Sequence, residues 1–74
     1  MQLDVRLSVI LRKGRFTRET VALADGGTVM DLLRQLDLPD GQVAVVVVNG
    51  RHVSKDSTLQ TGDIVSLFPH VGGG

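Results

Sequence analysis

Ile64-Val65-Ser66-Leu67-Phe68-Pro69-His70-Val71-Gly72-Gly73-Gly74 closes the chain, and the reading of this stretch decides the fold. Residues 64–68 alternate as a strand does. Pro69 has no amide hydrogen and a fixed φ, so the strand is expected to stop at Phe68. Beyond it Val71 is the only apolar side chain, and three glycines cannot bury enough surface to offset the entropy of ordering them. The α-carboxylate of Gly74 is therefore expected on a thin, mobile tether. Fully extended, the six residues after Phe68 reach roughly 20 Å. Lacking Cβ atoms, the glycines fit a channel too narrow for other residues. A tethered carboxylate has a chemical use: ATP can adenylate it to a mixed anhydride that sulfur or amine nucleophiles attack, in a site that excludes water.

Working outward, residues 62–74 resemble the end of the ubiquitin-like sulfur carriers. These are the small subunit of molybdopterin synthase and the thiamine-pathway sulfur carrier. The resemblance rests on Gly62-Asp63, the strand to Phe68, and Pro69-His70-Val71-Gly72-Gly73-Gly74, and it extends over the whole chain. The family's ending usually reads Gly-Asp, an apolar strand, then Pro-Pro-Val-Ser-Gly-Gly. Here His70 replaces the second proline and Gly72 the serine, leaving Gly73-Gly74 as the diglycine. The resemblance implies a β-grasp fold, α+β, with a mixed sheet of four to five strands and one helix packed on one face. It places the domain at residues 1–68 and the tail at 69–74.

The rest of the chain agrees with that expectation. Leu3, Val5, Leu7, Val9 and Leu11 alternate with Asp4, Arg6, Ser8, Ile10 and Arg12, which predicts a half-buried strand with one core face. Lys13-Gly14-Arg15 predicts a turn, and residues 16–23 a returning strand, together a hairpin. After Ala24-Asp25-Gly26-Gly27, Thr28 is a helix cap with Asp31 in capping-box spacing. Val29, Leu32, Leu33 and Leu36 share one helical face. Pro39 disfavours helical geometry at Leu38, so the helix is expected to end near Asp37. Gly26-Gly27-Thr28 could also hold an anion at a helix N-terminus; without longer glycine fingerprints, a turn and cap is the preferred reading.

The run of six residues 43–48 is apolar on both faces, which predicts a strand flanked on both sides. Asn49-Gly50 predicts a tight turn, Arg51-His52-Val53 a short return, and Leu59 a plug in an otherwise polar passage. One helix covers one face of such a sheet. In the fold that the resemblance implies, the first and last strands lie side by side in its centre. Ile64, Ser66, Phe68, Ile10 and alternate valines of the run are then expected to face away from the helix, forming an apolar docking surface beside the tail.

Composition narrows the function. Seventy-four residues make one small domain. The sequence has no cysteine, hence no disulfide, thiol nucleophile or sulfur-ligated zinc, and His52 and His70 alone suggest no metal site. Zero formal net charge predicts no bulk attraction to nucleic acid or membrane. Charges interrupt the first eleven residues, unlike a signal peptide, and no apolar run spans a bilayer. A cytoplasmic location is the expectation.

Three readings remain open. In the leading one, drawn from the resemblance, the chain is a carrier and not an enzyme. A separate ubiquitin-activating-like enzyme uses ATP to adenylate Gly74, with Gly73 in the narrow approach, and a persulfide converts the product to a thiocarboxylate. The sulfur then passes to a downstream synthase or sulfur-accepting subunit in cofactor biosynthesis of the molybdopterin, tungstopterin or thiamine type, with no cofactor bound to the carrier. Ile10, Phe68, Pro69, His70, Val71 and Gly72 are the expected partner contacts. The long first hairpin and Pro69 lean toward the molybdopterin-synthase type, while the short connection 38–42 and His70 depart from it. The second reading is a non-covalent β-grasp module binding protein or RNA, for which Arg12, Lys13, Arg15 and Arg18 supply charge but Phe16 and Phe68 supply little stacking. In the third, Gly74 is conjugated to lysines of other proteins as a ubiquitin-like modifier.

Overall fold

The computed structural model describes residues 1–70. In chain order its elements are β1 (Gln2–Leu7), β2 (Arg18–Ala22), α1 (Val29–Gln35), a 3-10 turn (Asp40–Gln42), β3 (Val45–Val48), β4 (Arg51–His52) and β5 (Ile64–Phe68). The five strands form one sheet in the order β2-β1-β5-β3-β4. β1 and β5 run parallel, with Val5 opposite Val65 and Leu7 opposite Leu67; the other pairs are antiparallel. This is the β-grasp arrangement, with the last strand in the centre as the resemblance implies.

Alternation on β1 and β5 sends Leu3, Val5, Leu7, Val65 and Leu67 to one face, all buried. Val46 joins them from β3, and Val29, Leu32 and Leu33 cover them from α1. The capping box is complete. The Thr28 backbone N–H donates to Asp31 Oδ2 at 2.9 Å, and the Asp31 N–H donates to Thr28 Oγ1 at 3.2 Å. Hydrogen bonding of the Asp31 carboxyl to the Thr28 backbone N–H, then to the Thr28 side chain, holds it below its ordinary pKa. A Cβ on Gly27 would lie 2.7 Å from Leu23 Cδ2, and Gly26 turns at φ 82°, so the pair forms a turn packed against the core at the helix entrance, in line with the turn-and-cap reading. At the other end Asp37 turns left-handed at φ 56°, and the Leu38 N–H donates to Leu33 O at 2.9 Å, satisfying a helix-end carbonyl. Asn49 and Gly50 both have positive φ, the conformation of a tight hairpin turn. Leu59 is buried as expected.

Two expectations are corrected. β1 ends at Leu7, not Leu11, and residues 9–14 form turns; Val9 is 70% exposed instead of facing the core. The cause lies on β5. Ser8 N–H donates to Leu67 O, and beyond Phe68 comes Pro69, with no N–H to continue the ladder. The chain turns, Arg12 N–H donating to Ser8 O, and Leu11 enters the core from the turn. β2 correspondingly begins at Arg18 and not at residue 16.

Candidate functional site

The tail springs from the middle of the sheet. β5 is held by β1 on one side and β3 on the other, and Ala44 N–H donates to Phe68 O at 2.9 Å. The exit point is thereby fixed on the middle strand of the sheet.

Two surfaces meet there. The first is the sheet face away from α1. Register places Val45 beside Phe68 and Val47 beside Ser66, with Ile64 on the same face of β5. Ile64 and Phe68 are exposed, while Val45 and Val47 are half-buried. Asp4 and Arg6 flank this stripe on β1. The Asp4 carboxylate accepts from Arg6 Nη2 at 3.3 Å and Arg18 Nη2 at 3.0 Å. The Arg6 hydrogen bond, then Arg18, hold Asp4 below its ordinary pKa against the opposing effect of desolvation.

The second surface is an open cleft of about 480 Å³ lined by Ile10, Leu11, Lys13, Arg15, Gly41, Gln42, Pro69 and His70. Arg15 spans from the first turn to the end of α1, donating through Nη1 to Leu11 O and through Nη2 to Asp37 O, each at 3.1 Å.

The structure brings together three of the expected contacts, Ile10, Pro69 and His70, in this cleft. Ile10 is 68% exposed, yet it arrives from the turn and not, as expected, from a strand on the open face. Phe68 lies on the open face, one residue before the cleft. Val71, Gly72, Gly73 and Gly74 lie outside the described residues. Sequence reasoning missed Gly41 and Gln42 as neighbours of the tail root. It noticed Lys13 and Arg15 only within a basic cluster, and the structure splits that cluster. Arg18 joins Asp4, Arg15 ties the turn to the helix, and Lys13 faces the cleft. Among the described residues no group of three or more His, Asp or Glu could hold a metal ion, and no helix is long and apolar enough to cross a membrane.

A small β-grasp sheet with its last strand in the middle and one helix on one face defines the class as ubiquitin-like. The chain belongs to the ThiS family, whose model matches residues 5–74. No curated protein matches the sequence. Among solved structures, the chain is similar to the HVO 2177 protein of Haloferax volcanii, at 31% identity and TM-score 0.81 over 100% of this chain and 87% of that one. It is similar to a protein described as molybdopterin converting factor subunit 1 from Pyrococcus furiosus, at 28% identity and TM-score 0.78 over 96% and 99%. It shares its fold with the complex of subunits 1 and 2 of molybdopterin-converting factor from Helicobacter pylori, at 21% identity and TM-score 0.67 over 100% and 100%.

Proposed function

We propose that this chain is a sulfur carrier whose working group is the carboxylate of Gly74. The observation that carries the reading is the position of β5, the middle strand of the sheet, immediately ahead of Pro69. The sequence runs from the central strand through Pro69 into three glycines, on a fold built to hold that strand still. Membership of the ThiS family supports it.

An α-carboxyl ordinarily titrates at about 3.3–3.7, so it is ionised at neutral pH and needs no base on this chain. One of its oxygens attacks the α-phosphorus of ATP in a separate activating enzyme, and pyrophosphate leaves. A donor persulfide then attacks the acyl carbon and AMP leaves. A second thiol of the donor cleaves the acyl disulfide, and sulfur remains on the terminus as a thiocarboxylate. With no cysteine in the sequence, the terminus is the place on this chain where the transferable sulfur can sit. The Pyrococcus and Helicobacter structures favour a molybdopterin-type pathway with a larger synthase subunit as the acceptor. The thiamine and tungsten-cofactor alternatives use the same chemistry. So does conjugation to a partner lysine, which differs only in the nucleophile.

One added alanine after Gly74 tests the reading. It displaces the carboxylate by about 3.5 Å, and a 1 Å misplacement can cost about a hundredfold in rate. The extended protein is expected to melt as wild type does, yet release pyrophosphate with the activating enzyme and ATP at least a hundredfold more slowly. Mass spectrometry of the wild type after addition of a sulfur donor is expected to show one oxygen replaced by sulfur at the terminus. A lysine-linked adduct instead identifies the modifier. Equal activation of the extended protein overturns the role given to the Gly74 carboxylate, and activation of neither protein replaces the carrier with a non-covalent binding module.

A further inference from the structure

The cleft at the root of the tail carries a charge that sulfur transfer does not explain. Acidic and basic residues are equal in number in this chain, eight of each. Elsewhere Arg6 and Arg18 pair with Asp4, Arg34 with Asp31, and Lys55 with Asp40, while Arg12 and Arg51 enter no ion pair among the described residues. Lys13, Arg15 and His70 line the cleft, and among the described residues no carboxylate lines it with them. Neither Lys13 nor Arg15 belongs to an ion pair among the described residues. The two backbone carbonyls that hold Arg15 fix its position without supplying a counter-charge. Against Lys13 and Arg15 stand the apolar side chains of Ile10 and Pro69.

We propose that the cleft docks an acidic segment of the protein that takes up the terminus, with an apolar side chain against Ile10 and Pro69 and carboxylates toward Lys13 and Arg15. The partner's identity rests on the carrier reading; the chemical preference of the cleft does not. Charge complementarity gives the segment its sign. Reach connects it to the terminus, because the four residues after His70 span at most about 14 Å. A protein holding the Gly74 carboxylate in its active site therefore presents its own surface within that distance of the cleft. The volume of about 480 Å³ suits a few side chains. A nucleic acid would also answer the charge, but neither Phe16 nor Phe68 lines the cleft to stack on a base.

The test titrates the full-length, isotope-labelled protein with three probes. These are a capped peptide alternating glutamate and leucine, its glutamine counterpart, and a single-stranded uridine oligonucleotide. The glutamate peptide is expected to shift the backbone amides of Ile10, Leu11, Lys13, Gly41, Gln42 and His70. Lys13→Glu and Gly41→Asp are each expected to weaken its binding at least tenfold. Both variants should fold, since Lys13 is exposed and a Cβ on Gly41 meets nothing within 4 Å. Equal binding of the glutamine peptide, tighter binding of the oligonucleotide, shifts centred elsewhere, or no shift with any probe would each overturn the proposal. In the pyrophosphate assay the same variants are expected to raise KM for the carrier at least tenfold with kcat unchanged; an unchanged KM removes the activating enzyme as the occupant. The titration uses no enzyme, so a wild type that is never activated defeats the carrier reading while the cleft's preference is still measured.

Discussion

The two faces of the sheet come from alternate residues of the same strands and meet opposite fates. On the covered face Leu3, Val5, Leu7, Val46, Val65 and Leu67 pack under α1 and are at most 4% exposed. On the open face Ile64 and Phe68 remain 38% and 39% exposed after folding, with Val45 and Val47 half-buried beside them. In so small a domain the covered face supplies nearly all the burial on which stability rests. On the open face Val45 lies beside Phe68 and Val47 beside Ser66, with Pro69 next in the chain. The docking of a partner proposed for this face would draw on that apolar stripe. One face holds the strand, and the other presents it.

The largest effect tests the covered face. Leu33 is fully buried within the core cluster. Leu33→Ala is expected to cost about 2–5 kcal/mol, a large share of the stability of a domain this size. A thermal melt followed by circular dichroism reads the result. An unchanged midpoint would mean that the helix does not stabilise this face, and the contrast would collapse.

Phe68→Asp tests the other face with a smaller effect on folding. Because Phe68 is partly exposed at the end of β5, the melting midpoint is expected to move by no more than about 1 kcal/mol would move it. Binding to the activating enzyme is expected to weaken at least tenfold, because an unpaired carboxylate would be buried against apolar surface. Unfolding would reassign Phe68 to the core. Native affinity would leave the open face without its partner.

The features legible in the sequence are those carried by neighbours along the chain. Thr28 and Asp31 announce the cap three residues apart, Asn49-Gly50 announces the turn, and alternation on residues 64–68 places Val65 and Leu67 inside. Features that depend on a distant partner were not legible. Leu3, Val5, Leu7, Val9 and Leu11 keep a period of two, but a strand continues only where a neighbour offers hydrogen bonds, and Pro69, distant in sequence, ends that supply. Gly41 and Gln42 meet Lys13 and His70 through folding alone, with no motif to announce it. The Asp4 carboxylate shared by Arg6 and Arg18 likewise depends on the register of β1 against β2.

The smallest effect compares one carboxylate from each region: Asp31 in the cap of the covering helix, and Asp4 on the open face. Both are held below the ordinary value of 3.8 in the folded protein. A depressed carboxyl stabilises the fold fully above its unfolded pKa, and that contribution is lost as pH falls through the folded value. Stability is therefore expected to be level from neutral pH to about 5 and to fall below about 4, as both groups take up protons. The causes differ. Asp31 is held chiefly by the Thr28 backbone N–H, a short, local contact. Asp4 is held by the side chains of Arg6 and Arg18, and the latter is well exposed. At 1 M salt the Debye length falls to about 3 Å, which weakens ion pairs between exposed side chains far more than a hydrogen bond to backbone. Asp31→Asn is expected to flatten the acid limb of a urea-stability curve between pH 5 and 2 at low and high salt alike. Asp4→Asn is expected to flatten it at low salt only. Should Asp4→Asn retain its effect at 1 M salt while Asp31→Asn has none, the polar anchoring of the fold would belong to the open face, and the division of labour between the two faces would have to be reversed.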